Sequence, residues 1–274
     1  MTDPLSGGAA IGFDDGAAYE LFMGRWSCAA GALFLDWLAS PAWARWLEIG
    51  CGTGAFTQLV RQRCRPAAIV AVDPAPAQIA HARCQPGADT NAFHLAAAEA
   101  LPCRNASHDI VVSALALNFM TDRRAALGEM RRVTRARGMI AGYVWDFAGR
   151  RMPHAPMVDA LLGLGIEAPA PPGGEECALA ALRALFADTG LNDIETTVLD
   201  IEVSYADFAE FWNAQTPSFS PTTRLIARLP ETQRNRLIDV LRATLPIGAE
   251  GGIRYPARAH AVKARVPCAA GPRA

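Results

Sequence analysis

A doubly wound, mostly parallel α/β sheet of seven strands is the fold this sequence predicts. Three observations predict it. Short apolar runs alternate with helix-period segments as far as Trp145. Most of these runs are apolar almost throughout, as strands buried on both faces are. A glycine-rich turn closes the first of them, where open sheets of this class bind their ligands.

Taken in order, residues 1–12 are polar and Gly-rich and predict no element. From Ala17 to Leu38 the apolar residues fall at helical spacing: Leu21, Phe22 and Trp26, then Leu33, Phe34, Trp37 and Leu38. Pro41 stops that segment. Ala44–Ile49 is the first strand, and the helix after the glycine turn carries Phe56, Leu59 and Val60 on one face. The second strand is Ala68–Val72, bounded by Asp73-Pro74, and Pro76–Arg83 reads as helix. Asn91–Leu95 and Asp109–Ala114 are the third and fourth strands. Asp122 is placed to cap a helix whose inner face is Ala126, Leu127, Met130 and Val133. Gly138 ends that segment, and Met139–Val144 is the fifth strand. The crossovers are expected to be right-handed.

Beyond a Pro/Gly-rich stretch, Ala168–Gly174, the pattern gives a helix at Ala178–Asp188 closed by Gly190. A strand over Asp193–Val203, helices over Asp207–Ala214 and Thr232–Ala243, and a last strand over Ile253–Val266 follow. The expected organisation is an N-terminal helical lid (1–40), a ligand-binding core (41–150) and a C-terminal part of the same domain (151–274). Inserted helices at about 205–245 would cover the substrate.

Composition removes several classes. With 274 residues and 51% hydrophobic content, the chain can bury a core without disulfides or a structural metal. A formal net charge of −1 lacks the basic excess that nucleic-acid binding needs, so no nucleic-acid partner is expected. The run of Arg123, Arg124, Arg131, Arg132, Arg135 and Arg137 is expected to be a solvated face. All but one of the 26 basic residues are Arg, the exception being Lys263, which suggests a G+C-rich, bacterial coding sequence. The seven Cys stand singly, as in a reducing cytoplasm. No leader-like start and no run near the ~20 apolar residues of a membrane span are present, so a cytoplasmic protein without a membrane partner is expected. The five His show no ligand spacing, and no metal is expected.

The most informative residues are Trp46-Leu-Glu48-Ile-Gly50-Cys51-Gly52-Thr-Gly54. Glycines let the turn tighten and let a ligand approach the backbone, and the following helix offers free N–H groups. A dinucleotide site wants G-x-G-x-x-G; here the spacing is G-x-G-x-G, preceded by an acid. Glu48 would repel a pyrophosphate and suits an ammonium or a water network beside one. Asp73, about 20 residues on at the second strand's end, is placed to take both ribose hydroxyls. Together the two carboxylates fit a ribose-bearing, phosphate-free cofactor with a cationic amino-acid end, a description S-adenosylmethionine meets. Cys51 lies at a helix N-terminus, where a thiol pKa can fall. Its plainer role is that of a small residue filling a tight turn.

These residues resemble those of the class I S-adenosylmethionine-dependent methyltransferases, within them the type 11 or ubiquinone/menaquinone-methyltransferase-like group. The resemblance continues through Ala98-Glu99-Ala-Leu-Pro102, His108-Asp-Ile-Val-Val-Ser113 and Glu129-Met-Arg-Arg132-Val-Thr. It implies a Rossmann-like methyltransferase fold in which Gly50, Cys51, Gly52 and Gly54 wrap the methionine end. It further implies that Asp73, beside Pro74, holds the ribose, that Gln78 lies over the adenine, that Ala98 and Glu99 pass its edge, and that Ser113 offers backbone near the methionine. Tyr19 and Arg25, in a lid-like segment, would meet the cofactor carboxylate. The sequence departs from the family pattern at Ala97, where Asp is common, and at Arg135-Ala-Arg-Gly138, where Arg-Pro-Gly-Gly is usual.

The expected activity is methyl transfer by in-line displacement to a small, partly apolar molecule. The alternatives are a non-catalytic S-adenosylmethionine-binding module or partner subunit and, against the motif, a nicotinamide-dependent oxidoreductase. No catalytic residue or oligomeric state is indicated. Asp146 and Asn118, after the fifth and fourth strands, are the nearest candidates for a general base.

Overall fold

The computed structural model describes residues 24–85, 88, 91–218 and 220–268. The first element is α1 (Arg25–Leu38), followed by β1 (Arg45–Ile49), α2 (Ala55–Cys64), β2 (Ala68–Asp73), α3 (Pro76–Arg83) and β3 (Asn91–Leu95). Then come β4 (His108–Ala114), α4 (Arg123–Val133), β5 (Thr134–Trp145), α5 (Ala155–Gly163), α6 (Leu179–Asp188) and β6 (Asn192–Tyr205). The chain continues through α7 (Phe208–Gln215), α8 (Pro221–Arg228), α9 (Glu231–Thr244) and β7 (Ile253–Arg265). Among the described residues the strands form one seven-stranded sheet in the order β3-β2-β1-β4-β5-β7-β6. Pairs from β3 through β5 are parallel, and β7 runs antiparallel to β5. The predicted doubly wound sheet is therefore the observed one.

The chain divides into two compact units. The first comprises, among the described residues, 24–153, 170–203 and 255–268. One face of its sheet carries Leu47, Ile49, Val111, Ile140, Val144 and Val262, packed with Ala126, Leu127, Met130 and Val133 of α4 and Leu182 and Phe186 of α6. The α4 inner face is as its sequence period predicts, and Asp122 caps the helix by accepting the Ala125 N–H at 2.9 Å. Each of those side chains contributes on the order of 1.5–3 kcal/mol by burial, Ala126 less. On the other face α1 packs against α2, with Tyr143 meeting Phe34 at 4.7 Å and Phe56 at 5.9 Å between ring centroids. Lys263 of β7 reaches α1: its ammonium donates to the Trp37 carbonyl at 3.2 Å and lies 4.4 Å from that ring's centroid. Glu195 of β6 is 3.4 Å from the same nitrogen.

The second comprises, among the described residues, 154–169, 204–218 and 220–254. Here α5 packs against α9, and the α7 aromatics cluster, with Phe208 stacked on Trp212 and Phe211 meeting Tyr205 at the end of β6 edge-on. Arg242 covers the Phe208 ring at 4.3 Å.

Several expectations are corrected. Gly138 does not end α4; it lies inside β5, which begins at Thr134. The β4–β5 register shifts there, and a Cβ at Gly138 would stand 2.5 Å from the Thr134 methyl and 2.9 Å from the Asp109 carbonyl. A close approach, not a helix stop, is what requires that glycine. Helices α5 and α8 go beyond the expected elements, each opened by a proline in its first turn. The arginine run is not simply solvated. Arg132 pairs with Glu129 at 2.6 Å and donates to the Leu101 and Cys103 carbonyls, while Arg131 donates to the Thr189 carbonyl.

Candidate active site

The turn after β1 is shaped by three glycines that all adopt left-handed backbone, with φ of 75°, 52° and 85° at Gly50, Gly52 and Gly54. Gly50 also has no room for a side chain: a Cβ there would stand 2.3 Å from the Ala116 Cβ, in the loop after β4. Gly50→Ala is accordingly expected to cost roughly 2–4 kcal/mol, from left-handed strain plus overpacking. A thermal melt of the variant against the native chain checks this. Around Gly52 the space is open, and a Cβ would meet only the Gln78 Oε1, at 3.9 Å.

Asp73 ties the second strand to this turn. Its carboxylate accepts the Gly52 N–H at 2.9 Å on one oxygen and the Ala75 N–H at 2.9 Å on the other. Burial raises its pKa, and the two backbone bonds pull in the other direction. Each oxygen keeps a second lone pair for a hydroxyl donor. Gln78, buried in the first turn of α3, reaches toward the same turn. The sequence-predicted Glu48, Gly50, Cys51, Gly52, Gly54, Asp73 and Gln78 are thus brought together at the carboxyl ends of β1 and β2.

Glu48 is 2% exposed, and its Oε2 accepts the Thr57 hydroxyl of α2 at 2.5 Å. Burial pushes its pKa up to about 8. The Thr57 bond opposes that rise, and the nearby Asp73 carboxylate adds to it. The neighbouring charge is another acid, so a cationic ligand is the complement this corner wants. That matches the sulfonium and ammonium of S-adenosylmethionine, and the open space at Gly52 matches a ligand laid against backbone.

Other predicted residues are placed differently. Burial drives the Cys51 thiol pKa far up, with Glu48 and Asp73 adding to the effect, so the helix N-terminus does not make it reactive. Ala98 is buried, while Glu99 turns its Oε1 to the Asp122 N–H at 3.1 Å. Pro74 is exposed. Ser113 is fully buried, in register with Gly142. Arg25 is exposed, its guanidinium 4.3 Å from the Trp26 ring centroid. Tyr19 lies outside the described residues.

The two general-base candidates are already engaged. Asp146 accepts the Gly149 N–H at 2.7 Å and lies 3.6 Å from the His260 Nε2; the other ring nitrogen of His260 is 2.9 Å from the Cys177 carbonyl. Asn118 donates to the Pro172 carbonyl at 3.3 Å. These contacts hold the 170–177 segment over the carboxyl ends of β4 and β5. His260 and Thr57 were not singled out by sequence, and no local spacing links either to its partner. Among the described residues no three His, Cys, Asp or Glu side chains come together as a metal site. No helix there is long and apolar enough to cross a membrane.

Residues 47–142 match a methyltransferase-domain family. Over 136 residues the chain is 35% identical to the malonyl-[acyl-carrier protein] O-methyltransferase of Methylococcus capsulatus, covering 49% of this chain and 48% of that protein. It is 34% identical over 148 residues to an uncharacterized methyltransferase of Mycobacterium tuberculosis, covering 54% of this chain and 55% of that one. The chain thus spans about half the length of the curated relatives it matches. Among solved structures it resembles the YcgJ protein of Bacillus subtilis, with a TM-score of 0.55, 16% identity, and coverage of 88% and 99% of the two chains. It also resembles the Haemonchus contortus phosphoethanolamine N-methyltransferase 2 solved with S-adenosylhomocysteine, with a TM-score of 0.54, 13% identity, and coverage of 94% and 61%. At those identities the structural likeness shows the fold.

Proposed function

We infer from a core, residues 47–142, that belongs to the class I S-adenosylmethionine-dependent methyltransferases that this chain transfers a methyl group by in-line displacement to a small, partly apolar acceptor. The observation that carries the reading is the left-handed glycine turn fastened by the Asp73 carboxylate beside buried Glu48.

When bound, S-adenosylmethionine supplies an electrophilic methyl group on a sulfonium. The work of this chain is then positional. Gly50, Cys51, Gly52 and Gly54 line the methionine end. The free lone pairs of Asp73 take the ribose hydroxyls, Gln78 borders the turn, and Glu48 faces the cationic end. Alignment and exclusion of water are the main sources of rate in such a displacement. Asp146 and Asn118 are committed to holding the 170–177 segment, which argues against either as a general base.

The family match ends at residue 142, and the curated relatives align over only about half their length. This supports placing acceptor choice in the remaining chain. The acceptor of the Methylococcus capsulatus relative, malonyl-[acyl-carrier protein], is the protein-borne counterpart of the small-molecule reading.

Calorimetric titration with S-adenosylhomocysteine and separately with NAD tests the cofactor. Micromolar binding of the first and none of the second is expected; the reverse would return the oxidoreductase reading. A panel of free small acids, malonyl-pantetheine and malonyl-[acyl-carrier protein], scored with methyl-labelled cofactor, then separates the acceptor classes.

A further inference from the structure

The last residue of β5, Trp145, is 4% exposed, and its indole Nε1–H has no hydrogen-bond partner. Buried indole N–H groups usually find one, because a donor left unmade has lost its water without replacement. The strand's end is also fastened by its backbone: the Asp146 N–H donates to the Arg258 carbonyl and the Arg258 N–H to the Arg151 carbonyl.

Its position follows from register. Glu48 of β1 is opposite Val112 of β4, which is opposite Ala141 of β5. Paired residues share a face, and along β5 that face continues through Tyr143 to Trp145. The orphaned indole therefore lies on the same side of the sheet as Glu48 and at its carboxyl edge. It is two strand spacings, roughly 10 Å, from the strand that bears the glycine turn. On this face the Tyr143 hydroxyl is 3.5 Å from the Ser27 carbonyl of α1, and the Ser27 hydroxyl is itself buried without a partner.

Two other orphaned groups on the sheet do not share this place. The Trp46 indole is near the amino-terminal end of β1, opposite Ile69 and Ile110. The Ser113 hydroxyl is on the other face, with Gly142.

Resting on the methyltransferase reading, we propose that the Trp145 indole N–H donates a hydrogen bond to a carbonyl or carboxylate oxygen of the methyl acceptor, holding it beside the donor turn. The acceptor class this selects is a molecule with an sp2 oxygen close to its attacking atom. An amine lacking such an oxygen would leave the donor unmade.

The test uses the full chain with 15N-labelled tryptophan, saturated with S-adenosylhomocysteine as judged by calorimetry. The Trp145 indole resonance is assigned by its loss in Trp145→Phe. Acetate, benzoate, malonyl-pantetheine and N-methylacetamide are titrated in turn, with trimethylamine as the oxygen-free control. A downfield displacement of that resonance by an oxygen-bearing probe, and none by trimethylamine, is expected. For any probe that is methylated, Trp145→Phe is expected to lower kcat/KM by about 10- to 100-fold with cofactor affinity unchanged. The variant is also expected to melt no lower than the native chain, because phenylalanine has no donor to leave unmade. Cofactor binding with an indole resonance indifferent to every probe would overturn this inference and leave the methyltransferase reading standing, whereas no cofactor binding would overturn both. A much lower melting temperature in Trp145→Phe would assign the indole a structural role and likewise overturn it.

Discussion

Asp73→Ala is expected to weaken S-adenosylhomocysteine binding by about 100- to 10,000-fold. Hydrogen bonds to a charged group contribute ~1.5–3 kcal/mol each, and two ribose hydroxyls would share this carboxylate. The same side chain accepts the Gly52 and Ala75 N–H groups, so the alanine variant also loosens the turn itself. Asp73→Asn separates the two effects. Its amide oxygen can still accept the Gly52 N–H, so the fold and its melting temperature are expected to recover most of the loss. Binding is not, because the charge and one acceptor oxygen are gone. Calorimetry and melts on both variants read this directly. Native-like affinity in Asp73→Ala would confine the residue to bracing the turn.

The second large effect is on stability against pH. Glu48 has a folded-state pKa of about 8 against an ordinary value of 4.5, chiefly because it is buried. Between those values the folded chain holds a proton that the unfolded chain has released. The contribution is therefore fully present below pH 4.5 and is lost as pH rises through 8, the reverse of the usual salt-bridged carboxylate. At 1.36 kcal/mol per pKa unit the loss amounts to at most about 5 kcal/mol. Glu48→Gln leaves an oxygen for the Thr57 hydroxyl and removes the titration, so its stability is expected to stay flat where the native chain declines. Denaturant midpoints from pH 5 to 9 on the two proteins measure the difference. Parallel curves would show that Glu48 is ionised in the fold at neutral pH.

What could be read from the sequence was whatever a short stretch of chain encodes by itself. The α4 face Ala126, Leu127, Met130 and Val133 repeats at helical period, and the same four residues are buried. The glycine turn was legible for the same reason: its conformation is a local demand met by residue type, and Asp73 follows from the length of one βαβ unit. Gly138 misled because the same residue serves a helix stop and a crowded strand equally well; only the partner strand, with the Asp109 carbonyl against it, distinguishes them. The contacts of Asp146 with His260 and of Glu48 with Thr57 were hidden more deeply. They depend on register between elements, which no periodicity within either element carries. The orphaned Trp145 indole belongs with these, since a missing bond has no signature in a sequence.

The chain's only lysine gives a way to watch one of those tertiary contacts in solution. Lys263 of β7 reaches the Trp37 carbonyl and ring, so undocking of α1 would strip its amine of every partner but Glu195. Apart from the α-amino group, an acylating reagent has no other amine on this chain to attack. One mass increment, followed over time with and without cofactor, therefore reports the opening and closing of that single helix, with no label to be engineered in.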